Sequence, residues 1–190
     1  MELHKLGIKI LCESADIDLL ECIPIFHRWI QNRELPGVLI DVAEYAHVTD
    51  GPGALIIAHE GNYAIDETNH RRGLVYYSKH ELPGTLEQRL SHVGRITLNA
   101  ADKLEKEMSG KIKFYGHELE IFANDRLVAP NNAATLTNFQ PYLEKFLDKL
   151  YSGTDYTYLR ESDTKERFSV KVQANKPFEL RNLLNNLGET

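Results

Sequence analysis

Thr85–Met108, TLEQRLSHVGRITLNAADKLEKEM, is the stretch on which the fold turns. Thr85 and Gln88 have the spacing of a capping box, in which each side chain bonds the other residue's backbone N–H. Leu86, Leu90, Val93, Ala100, Leu104 and Met108 recur at helical steps, and Gly110 stands where a terminator belongs. Glu87, Arg95, Asp102, Lys103 and Lys106 fall elsewhere and make a solvated face. A helix with one apolar stripe has to bury it against another element. The segments on both sides supply strands.

Upstream, Lys5–Glu13 carries Leu6, Ile8, Ile10 and Cys12 on one parity and Lys5, Lys9 and Glu13 on the other, the pattern of a half-buried strand; Leu11 is the exception. Asp18 and Glu21 again have capping-box spacing. Pro24 would sit inside a helix begun at Leu19, so the better reading is a short turn over Leu19–Cys22. A helix opened by Pro24 then runs to about Asn32, with Phe26, Trp29 and Ile30 inward. Val38–Ala43 reads as a second strand. Ala54–Glu60 reads as a third, continuing through Gly61 into Asn62–Asp66 and returning at Gly73–His80 as one long hairpin.

Downstream, Lys111–Tyr115 and Glu118–Ala123 alternate, with Phe122 breaking the pattern. Asn124-Asp125 turns into a short strand over Arg126–Ala129. Pro130-Asn131-Asn132 introduces a helical region, and Pro141 is expected near a helix start ahead of Leu143, Phe146, Leu147 and Leu150. Tyr156–Glu161 and Arg167–Ala174 form a hairpin with one wet face, and Pro177–Leu187 closes the chain as a short helix. The expected class is α+β: mainly antiparallel sheet with helices packed on one face, a division into two similar βαββα halves being the alternative because neither loop lengths nor strand sequences repeat. Residues 1–190 read as a single domain, because Met108–Lys111 is a plain helix-to-strand turn. Subdomains 1–109 and 110–190 sharing a core are the alternative.

The chain's 190 residues are enough for a substantial core without a disulfide or metal staple. Nothing approaches a membrane-spanning apolar run, and the N-terminus lacks the features of a signal peptide. Cys12 and Cys22 fit neither a zinc pair nor a redox pair, so a reduced, cytoplasmic setting is expected. A net charge of −6 opposes nucleic-acid binding.

Six of the eight histidines lie between His27 and His92, yet no pair has metal-ligand spacing on a helix turn. No metal or other cofactor is expected. No nucleophile elbow or phosphate loop is present either. What chemistry the sequence offers is concentrated in residues 41–60. There Asp41, His47 and His59 are the candidate catalytic residues, with His59 as general base and Asp41 its orienter. Asp50, Glu60, Arg71 and Arg72 are the candidate ligand-binding residues, the arginines for an anionic group. The expectation ranked first is a non-enzymatic module that binds a protein partner or itself, because many short antiparallel strands leave edges to be paired. A small hydrolase or lyase, or a small-ligand sensor, with a His/Asp-lined pocket around residues 41–60 is the alternative.

Overall fold

The computed structural model describes residues 1–15, 17–45, 47–48 and 51–188. It is α+β, one eight-stranded antiparallel sheet with helices on one face. The strands are β1 (Leu6–Ala15), β2 (Leu39–Glu44), β3 (Pro52–Ala58), β4 (Gly61–Asp66), β5 (Gly73–Ser78), β6 (Ile112–Ala123), β7 (Tyr156–Arg160) and β8 (Ser169–Ala174). The helices are α1 (Cys22–Asn32), α2 (Leu86–Glu107), α3 (Ala133–Leu150) and α4 (Leu180–Leu187). Strand order across the sheet is β2-β3-β4-β5-β1-β6-β8-β7. None of the described helices is long and apolar enough to cross a membrane.

The period-two pattern decides which residues meet the helices. Leu6, Ile8 and Ile10 of β1, Leu74 and Tyr76 of β5, Leu119 and Ile121 of β6, and Val170 and Val172 of β8 are all buried in one core. α2 lies across the middle of that face, touching β1, β5 and β6, while α1 covers β2 and β3. α3 and α4 pack on α2. Thr85 caps α2 with the full reciprocal box to Gln88. Trp29, fully buried, ties α1 to α2 by donating from Nε1 to Glu107 Oε1 at 2.7 Å.

Four expectations need correction. The long hairpin is two short ones: the chain turns at His59-Glu60, so that Ile57 pairs with Asn62 and β4 returns beside β3. A Cβ on Gly61 would lie 2.5 Å from the Tyr77 carbonyl oxygen, so this glycine serves close strand approach, not a bend in a single strand. Arg126–Ala129 is a turn closed by the Ala129 N–H on the Asp125 carbonyl, not a strand. Pro141 sits in mid-helix, because Asn132 caps α3 well upstream by accepting from the Thr135 N–H at 2.9 Å. Lys111–Tyr115 and Glu118–Ala123 join as the single long strand β6, which is bulged against β1.

The second half runs β6-α3-β7-β8-α4, a βαββα order; the first repeats it with the β2–β3 hairpin added. In each half the opening strand pairs with the last strand, and the two opening strands, β1 and β6, pair with each other at the middle of the sheet.

Candidate functional site

The six described residues among those expected to act do not converge. Asp41 is exposed on edge strand β2, and its carboxylate accepts from the Val42 N–H next to it at 2.8 Å. His47 is exposed in the β2–β3 connection, its ring 6.3 Å from that of Tyr45. His59 is exposed at the β3–β4 turn, where its ring packs 4.9 Å from that of His80 and Nδ1 lies 3.8 Å from Glu60 Oε1. His47 and His59 therefore flank opposite ends of β3, roughly 20 Å apart at the usual strand rise of about 3.3 Å per residue. That is beyond any side-chain reach, so the expected His47/His59 pocket does not form as a unit.

Glu60 accepts from the Val38 N–H at 2.8 Å, and this backbone bond holds its carboxyl below the usual range. Arg71 is bound to Glu118, and Arg72 donates to Glu67 Oε1 and to the Ile17 carbonyl. These three residues hold the sheet and its loops together. Asp50 lies outside the described residues. Among the described residues, no three His, Cys, Asp or Glu side chains are placed to hold a metal ion.

What the structure does assemble is a cleft of about 650 Å³ on the open face of the sheet, opposite the helices. Cross-strand register places its floor residues, Ala64, Val75, Lys9 and Glu120 in one row and Tyr77 and Ser169 in the next. In full, the first row reads Ala64, Val75, Lys9, Glu120, Lys171 and Leu159 across β4, β5, β1, β6, β8 and β7. The second reads Asn62, Tyr77, Gly7, Phe122 and Ser169. The β4–β5 connection with Pro52 forms one wall, and the loops Asn124–Arg126 and Glu161–Arg167 form the other.

Lys9 is 2% exposed, although it lies on the polar parity of β1. Its Nζ donates to Asp66 Oδ1 in a close ion pair, and Asp66 in turn accepts from the Thr68 N–H and hydroxyl. A buried cation is tolerable only when paired and hydrogen-bonded in this way. Beside it a three-layer stack rises from the floor. Gly7 leaves room for the Phe122 ring to lie on the backbone, and the Arg167 guanidinium lies 3.4 Å above the ring centroid. Arg167 Nη1 donates to Asn124 Oδ1 at 3.3 Å. Burial pulls Arg167 below the ordinary guanidinium range, while the carboxylates of Glu120, Asp66 and Glu166 work the other way.

The open face is divided. Toward β2 it is apolar: Leu55, Ala64 and Val75 pack with Ala43, Ile57 and Tyr77, and Val38 and Ile40 at that margin are 62% and 58% exposed. Toward β8 it is charged, with Lys9, Glu120 and Lys171 alternating in sign on adjacent strands. Phe122, which lies under Arg167 at this cleft, was marked in the sequence by interrupting the alternation of its strand. Lys9, Glu120 and Arg167 obey alternation and so read as ordinary wet-face residues. No protein-family model matches the chain, and no curated protein matches its sequence.

Proposed function

We propose that the protein is a non-enzymatic interaction module that takes a protein partner on the open face of its sheet, a second copy of the chain being the self-assembly case. The observation that carries this reading is the divided face itself: a partly exposed apolar area directly beside a charged cleft. Interfaces combine apolar area, which excludes water, with polar and charged groups beside it that fix specificity. The reading sets the protein in the cytoplasm, supported by Cys12 and Cys22 standing as free thiols.

The test joins native mass spectrometry, for subunit number, with partner recovery on immobilised protein. The expected outcome is a defined oligomer or a recovered partner whose binding falls about tenfold or more in Ile40→Asp. Lys145→Glu, on the exposed side of α3, should leave binding unchanged. A monomer without a recovered partner overturns the reading, and so does binding indifferent to Ile40→Asp.

A further inference from the structure

Arg167 and Glu120 make opposite demands at the same end of the cleft. A guanidinium carries five N–H donors. Among the described residues its one acceptor is Asn124 Oδ1, and the Phe122 stack fixes the plane in which the remaining donors lie. Glu120 is a half-buried carboxylate to which no described residue donates a hydrogen bond, though it lies within electrostatic reach of Arg167. One group needs acceptors and the other needs donors.

Charge decides what kind of acceptor fits. The cleft is lined by three cations, Lys9, Arg126 and Arg167, and by four carboxylates, Asp66, Glu120, Glu161 and Glu166. Asp66 is matched by Lys9, and Glu161 by Lys171 at 3.4 Å. Arg167 already has Glu120 and Glu166 close enough to balance it. A ligand anion would enter a site with no net positive charge to receive it. What Arg167 lacks is a hydrogen-bond acceptor that brings no charge. A neutral planar group offering C=O to Arg167 and N–H to Glu120 meets both demands, and the amide has that pair.

Nucleobase edges also combine donors and acceptors, but the net charge of −6 opposes the phosphates they come with. We propose that this end of the cleft recognises the main-chain amides of an extended, uncharged segment of a partner polypeptide. Arg167 donates to a carbonyl of the segment and Glu120 accepts from one of its N–H groups. Apolar side chains of the segment then lie on Ala64, Val75 and Tyr77. This inference rests on the interaction-module reading and names the part of the partner that is read.

The probe is a displayed library of random twelve-residue peptides selected on the full chain, with enriched peptides measured by calorimetry. The expected result is saturable binding by peptides without an acidic requirement. Arg167→Lys keeps the charge over Phe122 but loses the fork, and should weaken binding about tenfold or more, the scale of a hydrogen bond to a charged group. Glu120→Leu should do the same. Replacing the contacted peptide amide by an ester, which leaves the protein untouched, should weaken binding to wild type and much less to Glu120→Leu.

Three results overturn the proposal: no enrichment over Arg167→Lys, peptides that bind only through an Asp, Glu or terminal carboxylate, or binding indifferent to both cleft variants. If partner recovery still depends on Ile40 in any of these cases, the interaction-module reading survives and the amide inference alone falls. If recovery ignores the open face altogether, both fall.

Discussion

At the scale of single residues, the Gly7–Phe122–Arg167 stack has little tolerance. A Cβ on Gly7 would meet the Phe122 ring at 2.2 Å, so Gly7→Ala forces the ring upward into the guanidinium. The expected cost is about 1–3 kcal/mol, as for other overpacked sites, read as a lower urea midpoint at unchanged m-value. Adding Phe122→Leu should recover part of that loss, because residues in contact do not act additively. The two thiols give a prediction in pH. Burial pushes Cys12 up to about 12 and Cys22 up to about 11. A thiol whose folded pKa is raised contributes stability that is fully present below the unfolded value near 9. That contribution is lost as pH rises through the folded values, so the midpoint should fall from about pH 9 upward. At pH 8 both thiols therefore hold much less thiolate than a free cysteine. Alkylation of the folded protein should be correspondingly slow, and rapid labelling of either thiol before unfolding would contradict the burial described.

At the scale of elements, α2 depends on its first turn as well as on its buried stripe. Thr85 accepts from the Gln88 N–H, and Gln88 Oε1 accepts from the Thr85 N–H at 2.8 Å. Thr85→Ala should cost about 1 kcal/mol, measured by chemical denaturation. A negligible change would mean that packing on β1, β5 and β6 alone fixes where α2 begins. α2 and β1 were legible because each carries its signal within its own few residues. The β3–β4 turn was not, because His59-Glu60 contains neither Gly, Pro, Asn nor Asp. The apolar run before it and the alternation after it read as one strand. In α3 the opening at Pro130-Asn131-Asn132 was legible, and only the second start at Pro141 misled: Pro141 is a strong local signal, but the helix capped by Asn132, with Thr135 and Phe139 buried, runs through it. Leu127, 96% exposed, shows how far a four-residue hydrophobic pattern can mislead when a turn holds it out of the core.

At the scale of the whole molecule, helices on one face of antiparallel sheet could be read from periodicity, but strand order could not. Pairing β1 with both β5 and β6 is settled by contacts between residues far apart in sequence, which no local pattern encodes. The cleft was illegible for the same reason, since Lys9, Glu120 and Arg167 come from separate parts of the chain and meet only through register. Protection of backbone amides should follow strand order: slowest hydrogen exchange in β1 and β6, fastest strand exchange in β2 and β7, whose outer edges are unpaired among the described residues. Slow exchange along β2 or β7 at high protein concentration would instead mean that a second copy covers that edge. Central placement of β1 also sets a timetable for biosynthesis. Its β5 edge can zip as soon as Gly73–Ser78 leaves the ribosome, but its other edge stays bare until Ile112–Ala123 has been translated. At about 5–20 residues per second that leaves an apolar strand edge open for seconds. A nascent chain stalled between these two points should be the form most dependent on chaperones, although in the finished protein the same edge lies at the middle of the sheet.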